Sequence, residues 1–265
     1  MTGERVPVRC ARGCPPALEI GIMDKGSTFI VKELSKSFGS LKAVDGVSMS
    51  LRTGEILGLI GPNGSGKSTL INIMTGMLAK DNGFAEIDGH DITAVPAYKI
   101  PSYGLVRTYQ TIRLFKNLTC LENVVIGAIG VGTSRRRAAQ LAAGLLEELG
   151  LLDKSDTLAQ GLTFKDQRLL EIARALAAKP KFLLLDEPAA GLNELETDEL
   201  LSLLKPMPAQ KGIGILIVDH DMRLIMELCD RLHVLNYGQT IAEGLPGDVR
   251  KNPEVIKAYL GSTAS

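Results

Sequence analysis

The chain has 265 residues, and 45% of them are hydrophobic, which is enough to bury the core of one large domain. Lys and Arg together number 30, as do Asp and Glu, so no net positive charge favours nucleic acid as a partner. No apolar run approaches the length of a membrane-spanning helix, roughly 18 residues or more. We therefore expect a soluble protein, or one that reaches a membrane through partners.

The first segment interleaves arginine with proline and contains no apolar stretch long enough for a secretory signal. We predict a disordered extension over residues 1–27, with Met23 as an alternative start. The cysteines of the chain lack paired zinc-ligand spacing, and a chain of this size needs no disulfide framework, so we predict free thiols in a reducing compartment. These cysteines are Cys10, Cys14, Cys120 and Cys229.

The first part of the core predicts antiparallel strands. Residues 29–38 partly alternate between apolar and polar side chains before a Gly-Ser turn, and residues 47–51 alternate throughout. A further strand region around residues 84–87 closes at the turn Asp88-Gly89. We therefore predict an N-terminal antiparallel β subdomain.

Wholly apolar runs at residues 56–60, 182–185 and 213–218 predict central parallel strands that are buried on both faces. Residues 138–152 and 168–178 repeat apolar side chains at helical spacing. Strands that alternate with helices are typical of the α/β class with a parallel central sheet. The remaining predicted elements are a hairpin over residues 232–242 and a helix over about 253–260.

The segment after the first apolar run fits the pattern G-x-x-x-x-G-K-[ST] of a phosphate-binding loop. Its glycines let backbone N–H groups point into one concavity, and the start of the following helix adds partial positive charge. Lys67 can reach the β- and γ-phosphates, and Ser68 offers its hydroxyl to Mg²⁺. The predicted nucleotide-binding residues are Gly61, Pro62, Asn63, Gly64, Ser65, Gly66, Lys67, Ser68 and Thr69.

Two carboxylates end the apolar run at 182–185. Asp186 can hold Mg²⁺, and Glu187 can accept a proton from the attacking water. His220 follows the next apolar strand and therefore faces the same crevice, where a neutral imidazole can hydrogen-bond the γ-phosphate. His90 and His233 have no such context and are interpreted as surface or structural histidines.

In this order, the motifs resemble the ATPase subunits of ABC transporters. The resemblance runs from about residue 28 to the C-terminus and implies a P-loop NTPase core, with an α-helical subdomain inserted at about 111–178 of the ABC ATPase domain 28–265. The chain is most similar to the subunits that energise branched-chain amino acid importers. The segments that carry this similarity are residues 104–110, 113–119, 186–193, 219–222 and 252–261.

The resemblance also implies roles for individual residues. Phe38 would stack on adenine, and Gln110 would contact Mg²⁺ together with Ser68 and Asp186. Glu187, His220 and Lys67 would be the catalytic residues, with ATP and Mg²⁺ as substrate and cofactor. The segment at the position of the family signature, which caps the γ-phosphate of ATP on the opposite subunit, is Leu162, Thr163, Phe164, Lys165 and Asp166. The loop that would face the partner cassette is Gly191, Leu192 and Asn193.

The partners implied are a second ABC ATPase subunit, identical or different, and transmembrane permease subunits. Through these the chain would serve a periplasmic binding protein in the uptake of branched-chain, hydrophobic amino acids. The resemblance places it at the cytoplasmic face of the inner membrane, in contact with the membrane only through the permease. None of the residues named above touches the cargo, so the cargo rests on the family similarity alone.

The signature departs from the family pattern Leu-Ser-Gly-Gly-Gln. Lys165 stands at a glycine position whose lack of a side chain lets backbone N–H groups approach phosphate closely. Its ammonium could itself meet the γ-phosphate, but we expect weaker capping in trans and slower turnover. The bare residues have a structural interpretation as well, because Thr163 suits a helix N-cap and Asp166 the third helical position.

Three alternatives stay open at this stage to different degrees. A GTPase would need an Asn-Lys-x-Asp motif, and the chain contains no Asn-Lys dipeptide. A soluble cassette protein of translation or DNA repair would carry two cassettes or a long coiled coil, and neither is visible in the sequence. The ATPase that extracts lipopolysaccharide has a similar length and similar motifs, so it is the nearest alternative.

Overall fold

The structure is a computed structural model that describes residues 26–261. The predicted extension, with Met23 and the first two cysteines, lies almost entirely outside these residues. Within them, Cys120 and Cys229 are buried and unpaired, as predicted. None of the helices in residues 26–261 is long and apolar enough to cross a membrane.

The N-terminal sheet is antiparallel, as its alternating sequence predicts. It contains four strands in the order β2-β1-β4-β5. Phe29 lies opposite Leu51 on one neighbouring strand and opposite Ile87 on the other, so one face of the sheet is apolar. The strands are β1 (Thr28–Phe38), β2 (Leu41–Arg52), β4 (Asn82–Ile87) and β5 (His90–Asp91).

The second sheet has six strands in the order β10-β9-β3-β8-β7-β6. Every residue of β3, β7 and β8 is buried, because structure covers both faces of these central parallel strands. The last strand pairs antiparallel with β9 and forms the predicted hairpin. The strands are β3 (Ile56–Ile60), β6 (Leu105–Arg107), β7 (Phe182–Asp186), β8 (Gly214–Val218), β9 (Arg231–Asn236) and β10 (Gln239–Gly244).

Two predicted helices have different bounds in the structure. The first ends at Glu148 rather than at residue 152, because Gly150 adopts a left-handed φ of 68° just after it. The apolar repeat of the second begins at residue 168, but the helix begins at Phe164, and the prediction of Thr163 as its N-cap is confirmed: the hydroxyl of Thr163 accepts a hydrogen bond from the backbone N–H of Asp166 at 3.2 Å.

The helices within the described residues are α1 (Lys67–Met74), α2 (Cys120–Ile129), α3 (Arg135–Glu148), α4 (Phe164–Ala177), α5 (Glu194–Leu204), α6 (Met207–Lys211), α7 (Met222–Leu228), α8 (Pro246–Val249) and α9 (Pro253–Gly261). Helices α2, α3 and α4 lie between β6 and β7, where the inserted helical subdomain is expected. Its bounds of about 111–178 stay a prediction.

The strand β3 separates two apolar cores. Ile56 and Ile60 belong to the core between the large sheet and the helices, whereas Leu57 and Leu59 belong to the core between the two sheets. This division follows from the two-residue period of a strand. The α/β fold with a parallel central sheet and an antiparallel β subdomain is therefore confirmed.

The carboxyl ends of β3, β8, β7 and β6 lie side by side at one edge of the large sheet. Open α/β sheets bind ligands at this edge. The four segments that leave it contain the phosphate loop, His220, Glu187 and Gln110, respectively. The topology thus collects residues that are far apart in sequence.

Candidate functional site

The phosphate loop leads from β3 into α1 through two glycines that no other residue could replace. Gly61 has φ 153°, and a Cβ on it would lie 2.1 Å from the carbonyl oxygen of Leu235. Gly66 has φ 104°, and a Cβ on it would lie 2.3 Å from the carbonyl oxygen of Ala43. Contacts this short are sterically forbidden, so the loop can take this path only with glycine at both positions.

The start of α1 is suited to an anion. Gly66 is its N-cap and supplies no side-chain hydrogen bond, and the first turn contains no acidic residue. The first N–H groups therefore point toward the loop without a capping side chain, and the helix dipole favours negative charge there.

Lys67 folds back over the loop. Its Nζ donates hydrogen bonds to the carbonyl oxygens of Gly61 at 2.7 Å and Pro62 at 3.0 Å, and lies 3.4 Å from the Ser65 hydroxyl oxygen. Partial burial lowers the pKa of the Lys67 ammonium. A phosphate oxygen would be a stronger acceptor than these neutral carbonyls, so the ammonium is placed to exchange them for an anionic ligand.

A cavity of about 380 Å³ joins the loop to residues from other parts of the chain. Phe38, half exposed at 51%, lines it, and so does Glu187. The exposed Tyr237, at the turn of the β9–β10 hairpin, also lines the cavity and was not singled out from the sequence. Its position in a turn carries no sequence signal for a ligand. The cavity-lining residues are Phe38, Leu41, Lys42, Ala43, Asn63, Gly64, Ser65, Gly66, Lys67, Ser68, Thr69, Glu187 and Tyr237.

Glu187 lies close to two other predicted site residues, Gln110 and His220. Its Oε2 accepts a hydrogen bond from the Nε2 of Gln110 at 2.7 Å and lies 3.9 Å from the Nδ1 of His220. Its own backbone has a φ of 47°, which is unusual for a residue with a side chain. The hydrogen bond from its N–H to the carbonyl of Val218, at 2.7 Å, holds this conformation.

Asp186 has a partner that the sequence did not reveal. An Arg107 guanidinium nitrogen lies 2.7 Å from its Oδ2, and both side chains are almost buried, at 8% and 12% exposure. The same guanidinium donates a hydrogen bond to the Oδ1 of Asn72 at 2.7 Å. Arg107 therefore neutralises this carboxylate and fixes it against α1.

The predicted signature segment, residues 162–166, does not line this cavity in the part of the chain that the structure describes. Both of its charged side chains form ion pairs within the chain. Lys165 forms an ion pair with Glu199 of α5. The carboxylate of Asp166 accepts a hydrogen bond from Lys154 at 2.8 Å. Burial opposes its charged form, but the hydrogen bonds from Lys154 and Thr163 and the nearby lysine charges together lower the pKa of Asp166. Phe164 is half exposed and packs on Gly191, where a Cβ would meet its ring at 2.8 Å.

The predicted dimer-facing loop has a local structural role as well. Asn193 is the N-cap of α5, and its Oδ1 accepts a hydrogen bond from the N–H of Glu196 at 3.0 Å. The carboxylate of Glu196 accepts one in return from the N–H of Asn193, also at 3.0 Å. Leu192 is partly buried against the core. This loop is therefore held rigidly beside the signature segment.

Sequence reasoning also missed Arg168 and Glu171, which are wholly buried in α4. A partial signal existed, because apolar residues surround Arg168 and Glu171 on every side of this helix in the sequence. An Arg and a Glu three residues apart can pair on one face of a helix, and Arg174, three residues further on, also lies 4.0 Å from Glu171. The histidines set aside behave as interpreted: His90 is exposed, and buried His233 lies 3.2 Å from Glu243 and 2.9 Å from Thr240.

An open α/β sheet, a glycine loop that leads from a buried strand into a helix, and an acidic pair at the end of a neighbouring strand define a P-loop NTPase. The chain belongs to the ATP-binding cassette family of ABC transporters, because the family model described as "ABC transporter" matches residues 44–190. A second family model, described as "Branched-chain amino acid ATP-binding cassette transporter", matches residues 239–265.

Relatives support the same assignment. The high-affinity branched-chain amino acid transport ATP-binding protein BraF of Pseudomonas aeruginosa is 39% identical over 246 residues, covering 87% of this chain and 96% of BraF. The lipopolysaccharide export system ATP-binding protein LptB of Haemophilus influenzae is 35% identical, covering 89% of this chain and 98% of LptB. A crystal structure of the ADP conformation of an ATP-binding cassette of an ABC transporter matches with a TM-score of 0.80 and 35% identity, covering 89% of this chain and 100% of that one. The resemblance inferred from the motifs is confirmed, and the chain is an ATPase.

We predict that Arg107→Gln lowers the free energy of unfolding by about 3 kcal/mol, because it leaves the nearly buried Asp186 carboxylate without its counter-charge. Arg223→Gln is the matched control, since Arg223 lies at the same 2.7 Å from Asp198 but both side chains are exposed, at 44% and 54%. It should cost less than about 1 kcal/mol. Urea unfolding of both variants measures the difference, and equal losses would contradict the prediction.

Proposed function

We propose that the chain is the ATP-hydrolysing subunit of a transporter that takes up branched-chain, hydrophobic amino acids. The observation that carries the ATPase site is the single cavity that contains Phe38, the phosphate loop and Glu187. The choice of cargo is supported by the family match over residues 239–265 and by the similarity to BraF over most of both chains.

In this proposal, ATP binds along the cavity. The exposed ring of Phe38 stacks on adenine, and the N–H groups of the loop and of α1 bind the phosphates. Lys67 exchanges its carbonyl partners for the β- and γ-phosphates and offsets the charge that develops in the transition state. Ser68 and Thr69, in the first turn of α1, lie next to these phosphates.

Glu187 is proposed as the general base. Its carboxylate takes a proton from the attacking water, and Gln110 and His220 orient that carboxylate and the γ-phosphate. Their positions around Glu187 Oε2, at 2.7 Å and 3.9 Å, support this assignment. The left-handed backbone of Glu187 is the kind of strained conformation that recurs at active sites.

Mg²⁺ fits the proposed donor set of Ser68, Gln110 and Asp186. These residues offer a hydroxyl, an amide and a carboxylate oxygen, and Mg²⁺ prefers oxygen ligands with few of them from protein and the rest from phosphate and water. When bound, the ion would neutralise charge on the β- and γ-phosphates. Arg107, beside Asp186, would hold that carboxylate in place for it.

A second ATPase subunit is proposed to complete each site. In one chain the signature segment, residues 162–166, does not line its own cavity, and Thr163 and Phe164 are exposed. A head-to-tail dimer would present this exposed segment, and the adjoining residues 191–193, to ATP bound on the partner. ATP binding would close the dimer, and hydrolysis would reopen it.

The permease is proposed to dock in an apolar groove beside α2. This cavity of about 310 Å³ is lined by the exposed side chains of Tyr98, Phe115 and Ile126, among others. It lies between the end of the large sheet and the helical segment, because Val106 of β6 and Ala175 of α4 line it as well. Such a site would tie the chain to the cytoplasmic face of the inner membrane without a spanning helix of its own.

We predict that Glu187→Gln lowers ATP turnover by at least about 100-fold, because the amide cannot accept the proton of the attacking water. The variant should still bind ATP and accumulate as a closed dimer, which size-exclusion chromatography with ATP detects. Glu147→Gln, on the exposed side of α3, is the control and should hydrolyse ATP normally. Substantial residual hydrolysis by Glu187→Gln would exclude Glu187 as the base.

We predict that Lys165→Gly raises ATP turnover severalfold in the assembled transporter, because it restores close approach of the backbone to the phosphate of the partner site. Glu199→Gln is the control, since it removes the ion-pair partner of Lys165 but leaves the lysine in place. It should not accelerate turnover. An unchanged rate in Lys165→Gly would reject the idea that this lysine slows the enzyme.

We predict that the tagged chain, purified from detergent-solubilised membranes, carries permease subunits with it, and that their periplasmic binding protein binds a branched-chain amino acid. Mass spectrometry identifies the subunits, and isothermal titration with leucine, isoleucine and valine tests the cargo. The main alternative is lipopolysaccharide export, because the chain is also similar to LptB. Capture of lipopolysaccharide export proteins would therefore contradict the proposed cargo. Ribosomes or repair factors would leave only the ATPase site.

A further inference from the structure

A fully buried ion pair lies in α4, directly beneath the segment that contains Gln110. The side chains of Arg168 and Glu171 are each 1% exposed, and their charged groups lie 3.2 Å apart. Burial raises the pKa of Glu171, so keeping this group charged costs free energy. Buried ion pairs of this kind rarely stabilise a fold more than apolar residues of the same size. The groups that the pair binds therefore indicate its role better than its contribution to stability does.

Both members of the pair bind the main chain of residues 109–113. Two guanidinium nitrogens of Arg168 donate to successive carbonyl oxygens, to Tyr109 at 2.8 Å and to Gln110 at 3.0 Å. The carboxylate of Glu171 accepts a hydrogen bond from the N–H of Arg113 at 3.2 Å. This segment follows β6 and has no regular secondary structure, so α4 supplies partners that a strand or helix would otherwise provide.

The segment of residues 109–113 positions Gln110 against Glu187. The main chain of Gln110 is bound by Arg168, and its side-chain Nε2 donates to the Oε2 of Glu187 at 2.7 Å. The neighbouring ring of Tyr109 contacts the guanidinium groups of Arg107 and Arg113, which lie 4.9 Å and 4.1 Å from its centre. A shift of α4 would therefore move Gln110 relative to the proposed base.

The same helix begins in the segment proposed to contact the partner's ATP. Phe164 is its first residue, and Arg168 lies about one helical turn further on. Because hydrogen bonds join consecutive turns of a helix, we expect a displacement of the first turn to move Arg168 as well. The helix thus joins the signature segment, residues 162–166, to Gln110 of the same chain through the charged pair.

We infer that Arg168 and Glu171 are positioning residues, which fix Gln110 relative to Glu187 from α4, the helix that begins in the signature segment. This inference rests on the proposed roles of Gln110 and the signature segment. In this inference the two hydrogen bonds from Arg168 determine the position of Gln110. The charge of the Arg168–Glu171 pair does not contribute to this effect.

The first test is Arg168→Lys, which keeps the charge beside Glu171 but cannot donate from two separated nitrogens to both carbonyl oxygens. We expect kcat for ATP hydrolysis by the full-length chain to fall about tenfold, because a catalytic group has been displaced, while the KM for ATP changes less than twofold. Arg223→Lys, on an exposed pair with Asp198, is the matched control. An unchanged kcat in Arg168→Lys, or a loss confined to KM, would overturn the inference.

A second variant separates positioning from folding. Arg168→Met combined with Glu171→Leu replaces the pair with apolar side chains of similar volume, which buried sites commonly tolerate. The variant removes the partners of the Tyr109 and Gln110 carbonyls and the carboxylate that lies 4.0 Å from Arg174, so we expect a lowered but still cooperative thermal unfolding transition. At a temperature where the variant is folded, we expect the same tenfold loss in kcat. Full activity in this folded variant would also overturn the inference.

A double-mutant cycle with Gln110→Ala tests the coupling itself. If Arg168 acts through Gln110, Arg168→Lys should lower kcat by less than twofold in the Gln110→Ala background. Independent, multiplicative losses would overturn the inference while leaving the proposed role of Gln110 intact. An unchanged kcat in Gln110→Ala alone would instead overturn that proposed role, and the inference with it.

Discussion

The backbone of the phosphate loop touches two segments that are distant in sequence, and the rest of the site depends on this contact. At Gly61 the chain lies against the carbonyl of Leu235 in β9, and at Gly66 against that of Ala43 in β2. No side chain fits at either point, because the loop packs closely between the antiparallel sheet and the large sheet. The N–H of Gly238 reinforces this arrangement with a hydrogen bond to Ser65 at 2.9 Å. The concavity for phosphate thus exists only once both sheets are in place.

Acidic side chains at the edge of the large sheet lie near this loop together with the groups that bind them. Two acidic groups at the sheet edge have a side-chain partner: Asp186 is bound by Arg107, and Glu187 by Gln110. Cationic side chains recur nearby: Arg107 and Arg113 both contact the ring of Tyr109, and Arg168 is buried beside Glu171. These arginines contact main-chain carbonyls, rings and carboxylates, and they lie behind the residues that line the cavity. Their role in this structure is therefore to hold the loops that carry the predicted site.

Much of the site was predictable because its signals are local. The phosphate loop is contiguous, and its strand, glycines and helix start lie within about twenty residues. Glu187 and His220 could be placed because each directly follows an apolar strand, and parallel strands end at the same edge. The end of α3 was less accurate, because Gly150 follows the helix end although the apolar periodicity continues, whereas the Thr163 cap of α4 was visible in the sequence. Arg107 could not be paired from sequence, because Asp186 is 79 positions away.

By itself the sequence determined the class of the fold, the phosphate loop and the acidic end of the strand. Each of these features depends on neighbouring residues within one turn or one strand. The tertiary structure decided which charged groups meet. Only the packing of α4 under residues 109–113 shows that Arg168 and Glu171 hold the Gln110 segment, and only the sheet order sets Gln110 beside Glu187. The physical reason is that hydrogen bonds and ion pairs act over a few ångströms, and chain folding alone sets which distant residues come that close.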